Sequence, residues 1–146
     1  MPIYRFFHPI EIRYADLDPQ GHVNNAKYLT YFEQARLAYL IHLGLFGSDQ
    51  SFLEIGVILA EVRVTFKAPT HFGQRVQVGV RTTRLGNKSM EMECALFECE
   101  NNRLLAVGTA VLVAYNYTAR HSIPLPEAWR TAITRFEAEE NVPPCD

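Results

Sequence analysis

Among 146 residues there are three cysteines, and Cys94, Cys99 and Cys145 form no CxxC pair. An odd number without that spacing predicts no disulfide framework, and a reducing cytoplasm is the expected compartment. The five histidines are scattered, with no HxH pair and none four residues from another. Zinc is therefore not expected. GxGxxG, GxxxxGK[ST] and GxSxG are all lacking, which removes support for a nucleotide cradle or a nucleophile elbow. No charge of one sign dominates. Fourteen basic against sixteen acidic residues leave a net charge of −2, which excludes a global basic field for nucleic acid or anionic membrane. The longest apolar stretch, Leu104 to Tyr115, is broken by Gly108 and Thr109. It falls short of the ~20 residues that a spanning helix needs, so no membrane span is expected. The opening MPIYRFFHPIEIRY has no basic region followed by an apolar run, and no secretory leader is expected. No internal repeat or linker is apparent.

What is present reads as a globular chain. Hydrophobic residues make up 48% and charged residues 21%, which is ordinary for a packed domain. A single domain over residues 1–146 is expected. At this length roughly 68–70% of the unfolded surface is buried, enough for one core without staples.

The pattern predicts a strand, a long helix, four strands and a small helix. Ile10-Glu11-Ile12-Arg13-Tyr14 alternates as a half-buried strand does. Asp18-Pro19-Gln20-Gly21 carries type I turn preferences at its first, second and fourth positions. Asn24 or Asn25 can cap the next element. From Ala26 to Leu43 there is no Pro or Gly, and Gly44 is a natural stop. Tyr28, Phe32, Ala35, Tyr39 and Leu43 recur at spacings of three and four. Leu29, Leu40 and Ile41 widen the apolar face, so this helix is expected to be covered on most sides. Residues 46–56 read as a loop with a short helical turn. Val62, Val64 and Phe66, then Val76, Val78 and Val80, then Met90, Met92, Cys94 and Leu96 alternate with polar residues. Leu105, Val107, Thr109, Val111, Val113 and Tyr115 form the last period-two series. Short turns between them imply antiparallel hairpins. Glu127–Glu140 reads as a terminal helix with Trp129, Ile133 and Phe136 on one face. One apolar helix against an antiparallel sheet makes the fold class α+β.

Residues 11–40, EIRYADLDPQGHVNNAKYLTYFEQARLAYL, resemble the hotdog-fold thioesterases of the 4-hydroxybenzoyl-CoA thioesterase-like branch. There a strand leads through a D-x-D-[PA]-x-G turn into a helix. The segments KAPTHFGQRVQV and LGNKSMEMECAL resemble later strands of that family, and the likeness spans roughly residues 8–125. It implies a five-stranded antiparallel sheet wrapped around one helix. It also implies homodimers joined edge to edge, paired again into homotetramers, with active sites between protomers. Asp18 stands where the family has its essential carboxylate. Asn25 stands where the first helical amide points at the thioester carbonyl, a position at which His or Tyr is frequent. The run GHVNNAKY also resembles the plant acyl-carrier-protein thioesterases. His22 matches their histidine, while Gln20 replaces their asparagine.

Thioester hydrolysis needs a base or nucleophile and donors for the developing oxyanion. Asp18 is the candidate for the first role and the backbone N–H of Asn25 for the second. Asp-Pro-x-Gly is also a plain turn sequence, and the resemblance favours the catalytic reading of Asp18. Asp16 reads as solvated or structural. His22 either orients the turn or contacts substrate. Tyr28 and Glu33 are candidates for substrate contact beside their readings as core and as solvated helix carboxylate. Lys88 and Ser89, after a hairpin turn, match a family segment that contacts CoA, or are a plain exposed turn. The other histidines, His71 among them, carry no spacing that assigns them.

Three functions follow. The first is an acyl-CoA thioesterase that needs no metal or redox cofactor, CoA being part of the substrate. The second is a thioesterase acting on acyl-carrier protein. The third is a non-catalytic acyl-thioester-binding protein. A hotdog dehydratase fits least, because it places the histidine in the loop and the carboxylate on the helix.

Overall fold

The computed structural model describes residues 4–46 and 53–145. Strand β1 (Phe6–Ile10) is followed by a 3-10 turn (Tyr14–Asp16) and helix α1 (Asn25–His42). Strands β2 (Ile55–Phe66), β3 (Val76–Leu85), β4 (Ser89–Glu98), β5 (Arg103–Asn116) and β6 (His121–Ser122) come next, and α2 (Glu127–Glu137) follows. The strands form one antiparallel sheet in the order β1-β3-β4-β5-β2, with the short β6 paired to β5. Helix α1 lies over β1, β3 and β4. This is the hotdog arrangement implied by the resemblance, with a two-residue sixth strand added. Of the expected loop over residues 46–56, residues 47–52 lie outside the described residues, and Ile55 and Gly56 already belong to β2. No described helix is long and apolar enough to cross a membrane.

The expected first strand is displaced. Residues 6–10 pair with β3, whereas Tyr14 is exposed in the 3-10 turn. The cause is the Asp16 carboxylate, which accepts the Arg13 N–H at 3.0 Å. That donor is lost to any ladder, and the chain tightens instead of extending. Pro9 is tolerated because β1 is an edge strand.

In β3 and β4 the alternation predicts the buried face. Val76, Val78, Val80, Met90, Met92, Cys94 and Leu96 are all buried. In β5 Leu105 is buried as the series predicts, and beyond it the parity is reversed. Ala106, Gly108, Ala110, Leu112 and Ala114 are buried, while Val107, Val111 and Val113 are half-buried and Thr109 is exposed. Small side chains belong on this face where the Phe32 ring of α1 rests on it. A Cβ built on Gly108 would stand 2.8 Å from Phe32 Cε2 and 3.0 Å from Cδ2. Neighbouring strands still fill the core with large residues.

Helix α1 is less enclosed than its composition predicts. Phe32, Ala35 and Tyr39 are fully buried, but Leu29, Leu37 and Ile41 are exposed along one flank. Helix α2 ends three residues before the expected boundary. It is fastened through Glu137, whose Oε2 accepts Tyr39 Oη–H at 2.5 Å and Thr82 N–H at 3.1 Å.

The cysteine expectation is overturned. Cys99 and Cys145 are disulfide-bonded across 46 residues, with their Cα atoms 5.6 Å apart. Cys99 sits at the β4–β5 hairpin, and the tail returns to it over the start of β3. There Cys145 N–H donates to Gln77 Oε1 at 2.8 Å, and Val142 N–H donates to Tyr4 O at 2.9 Å. Only the folded path of the tail brings the two sulfurs together, so spacing gave no hint of it. The expectation of a reducing compartment rested on unpaired thiols and loses that support. Cys94 is free and buried, and burial pushes its thiol up to about 12.

Two stability outcomes are expected. Gly108→Ala overpacks the Phe32 contact and lowers unfolding free energy by about 1–3 kcal/mol, read from urea denaturation. Cys145→Ser removes the cross-link and lowers it by about 2–4 kcal/mol. Reductant should then destabilise the parent protein but not that variant.

Candidate active site

The site is built where β1 hands over to α1. The turn forms as its sequence predicts: Gly21 N–H donates to Asp18 O at 3.0 Å, and Gly21 has φ +88°, a conformation that favours glycine. Asp18 N–H donates to His22 O at 2.9 Å, closing the loop on itself. The Asp18 carboxylate accepts Gln20 N–H at 2.9 Å through Oδ1. Its Oδ2 lies 3.6 Å from His22 Nδ1.

Asn24 is the cap. Its side chain accepts Ala26 N–H at 2.9 Å, and its carbonyl accepts Lys27 N–H at 2.9 Å. Among the described residues no acceptor is recorded for the N–H of Asn25. That amide opens an 18-residue helix, and a positive helix end reinforces it as a donor for an oxyanion.

Two clamps hold this corner. The first is Asp16, which is 1% exposed. Its carboxylate accepts Arg13 Nη2–H at 2.9 Å and Tyr31 Oη–H at 2.7 Å, and its backbone carbonyl accepts Asn24 N–H at 2.9 Å. Burial alone would raise its pKa. The hydrogen bonds from Arg13 and Tyr31 outweigh that and hold it below the usual carboxylate range. The second clamp is the fully buried Thr70. Its carbonyl accepts Val23 N–H at 2.8 Å, and its hydroxyl pairs with Tyr28 Oη at 2.8 Å.

His22, Asn25 and Tyr28 line one cleft of about 300 Å³ together with Phe66, Lys67 and Pro69. Asp18 adjoins this cleft through His22. Tyr28 is both core and cleft wall, with its ring 5.0 Å from that of Phe66. Glu33 is exposed and borders a different concavity. Lys88 and Ser89 are not brought to this corner within one chain. Lys88 Nζ lies 3.5 Å from Ser122 Oγ, and Ser89 O accepts Gly86 N–H at 2.7 Å in the β3–β4 hairpin. That hairpin lies at the far end of β3, about 30 Å along the strand from the Asp18 end.

Sequence patterns missed Thr70, His71 and Lys67. His71 bridges His22 in an isolated antiparallel pair, with ring centroids 6.1 Å apart. The signal available was the KAPTHFGQRVQV resemblance, which covers these residues but not what they touch.

Asp16→Asn is expected to lower unfolding free energy by about 1–3 kcal/mol at neutral pH. The depressed native pKa sets the pH dependence. The Asp16 contribution is complete above the ordinary carboxylate value near 4 and is lost as pH falls through the lower native value. Denaturation midpoints between pH 7 and pH 2 should show this acid arm shrinking in Asp16→Asn.

Residues 12–133 match the thioesterase-like superfamily. Over 69 residues the chain is 33% identical to the putative acyl-CoA thioesterase YneP of Bacillus subtilis (strain 168), covering 47% of this chain and 50% of that protein. Over 115 residues it is 30% identical to the acyl-acyl carrier protein thioesterase ATL2, chloroplastic, of Arabidopsis thaliana, covering 76% of this chain and 61% of that one. The matched segments thus span only half and about three fifths of these curated relatives. Among solved structures, a thioesterase from Thermus thermophilus complexed with coenzyme A and Zn superposes with a TM-score of 0.81 at 34% identity. That match covers 95% of this chain and 98% of that one.

Proposed function

The chain belongs to the thioesterase-like superfamily, and from that premise we propose that it hydrolyses an acyl-CoA thioester to a free acid and CoA. The observation that carries this reading is the unpartnered Asn25 amide at the head of α1, in a cleft whose His22 wall touches the Asp18 carboxylate. In this reading Asp18 takes a proton from water, and the hydroxide forms a bond to the thioester carbon. The carbonyl electrons move onto oxygen, where the Asn25 N–H stabilises them. As the carbonyl reforms, the C–S bond breaks and CoA leaves as thiolate. A thiolate is a good leaving group, so a strong general acid is dispensable. His22 beside Oδ2 orients the carboxylate. Direct attack by Asp18, with a mixed anhydride hydrolysed afterwards, satisfies the same geometry.

A general base supplies about 10²–10⁴-fold and one oxyanion donor about 2.7–4 kcal/mol of barrier. The Asn25 donor is a backbone group at the first helical position, where only proline would delete it. The acid is the half tested by a side-chain change.

The acyl carrier needs a second reading. His22-Val23-Asn24-Asn25 and the plant relative favour an acyl-carrier-protein thioester, whereas the YneP relative and the CoA-bound neighbour favour CoA. The unpaired outer edge of β2, twelve residues long, suits the edge-to-edge homodimer of this reading. It is also a route by which Lys88 and Ser89 of another copy reach a site to which their own chain does not bring them.

Asp18→Asn should lower kcat for acyl-CoA hydrolysis by at least about 10²-fold with an unchanged circular dichroism spectrum. Thiol release from short, long, branched and aryl acyl-CoAs, and from one acyl chain on carrier protein, measures this and ranks the carriers. Wild-type rates in the variant would remove Asp18 from the mechanism.

A further inference from the structure

The face of the sheet turned away from α1 carries a small apolar cluster of its own. Tyr4, Ala95 and Phe97 are buried there, with Phe7, Leu104 and Val107 packed around them. The Tyr4 ring lies over Gly79, where an added Cβ would stand 2.8 Å from its Cγ. The ring centroids of Phe7 and Phe97 are 5.9 Å and 6.0 Å from that of Tyr4. Tyr4 lies outside the β1 ladder, which begins at Phe6.

The chain after α2 holds it instead. Val142 N–H donates to Tyr4 O at 2.9 Å. The neighbouring Arg5 guanidinium donates to Glu139 O and to Glu137 Oε1, the latter at 3.4 Å. Farther on, Cys145 N–H donates to Gln77 Oε1 at 2.8 Å, and Arg75 Nη2–H donates to Cys145 O at 3.5 Å. Gln77 stands opposite Phe97 in the β3–β4 register. Residues 138–145 are thus a strap that runs from the end of α2 past Tyr4 to Cys99.

The strap is weakly attached except at its sulfur. Residues 138–143 are exposed, so little apolar burial drives their docking. The few hydrogen bonds of the strap do not offset the backbone entropy of ordering eight residues. The Cys99–Cys145 bond makes up the difference by holding the far end at the sheet. Both of these cysteines are half-buried, whereas Cys94 is buried in the core under α1 and is out of reach as an exchange partner. Cys99 is positioned without the bridge, because its N–H donates to Arg75 O at 2.9 Å.

We propose that Cys99–Cys145 is a reversible redox site: reduction by a dithiol frees residues 138–145, loosens Tyr4 and uncovers Phe7, Ala95 and Phe97. A thiolate of the dithiol attacks one bridge sulfur, forming a mixed disulfide, and the other cysteine leaves as thiolate. The second thiol of the dithiol then displaces the protein sulfur. Two electrons and two protons pass to the cysteines, and the dithiol ends as its own disulfide. A small-molecule disulfide reverses the sequence. Neither the strap nor its release involves Asp18 or Asn25.

Amide hydrogen exchange read by mass spectrometry tests this on the full chain, oxidised and then reduced with dithiothreitol. Reduction should speed exchange in peptides covering residues 138–145 and 4–7 by at least about tenfold and leave β4 and β5 slow. Iodoacetamide should label Cys99 and Cys145 in the reduced, folded protein but not Cys94. The apolar dye ANS should bind the reduced form more strongly, and glutathione disulfide should restore the starting pattern. Cys99→Ser and Cys145→Ser should each show the released pattern without reductant and no response to dithiothreitol. Strap peptides that stay protected after reduction would overturn the proposal, as would a bridge that resists dithiothreitol in the folded chain. Loss of the circular dichroism signal on reduction would also overturn it, because the bridge then holds the whole fold. So would dye binding that rises without faster exchange at residues 4–7, which places the uncovered surface elsewhere.

Discussion

One buried carboxylate sets the geometry of this corner. Asp16 holds the Arg13 backbone and guanidinium on one side and the Tyr31 hydroxyl of α1 on the other, while its carbonyl receives the N–H of the cap residue. The segment leaving β1 and the first turns of the helix are thereby fixed to each other through one residue. Asp18 lies two residues past that joint and Asn25 one residue past the cap. The Tyr31 hydroxyl keeps its proton, because burial and the adjacent carboxylate both push its pKa up, so the donor persists across the working pH range. Ionised, the clamp is a set of charge-assisted bonds; protonated, it loses acceptor capacity where no water can replace it.

The second constraint is how closely α1 approaches the sheet. Phe32 sits against Gly108, and alanines flank that glycine on the same face of β5. The helix is thus seated deeply over β1, β3 and β4 and leaves the β2 side open. The cleft and the concavity beside Glu33 both follow from this off-centre seat. Near the start of the helix, Tyr28 meets Phe66 and closes the cleft wall. Farther along, Leu37 faces Val57 and Leu59 across open space.

Local patterns revealed whatever local forces decide. The absence of Pro and Gly from 26 to 43 marked α1, turn signals bracketed β3 and β4, and the D-x-D-P-x-G run marked the corner where Asp18, His22 and Asn25 do lie. Misreadings arose where a distant partner decided. Residues 11–14 alternate like a strand, but the Asp16 carboxylate removes the donor that a strand needs. In β5, hydrophobicity pointed to the valines, whereas the proximity of Phe32 requires the alanines and Gly108. Thr70 and His71 join the site through contacts spanning more than forty residues, and no periodicity carries those. Asp16 was legible as an acid but not as a clamp, since its worth lies in Tyr31 one helix away. Lys88 and Ser89 were grouped with Asp18 by resemblance, and register puts them at the other end of the sheet.

The sulfur bridge between Cys99 and Cys145 has a mechanical side. It encloses β5, β6 and α2 in a covalent ring, while α1, the turn and β1 to β4 stay outside. Tension applied along the chain would pass through the bridge and bypass the ring. The 46 residues it spans could not be drawn out, withholding about 160 Å of contour length until the sulfurs are reduced. In the oxidised protein, the part of the chain that carries the acid and the amide would therefore yield to force first.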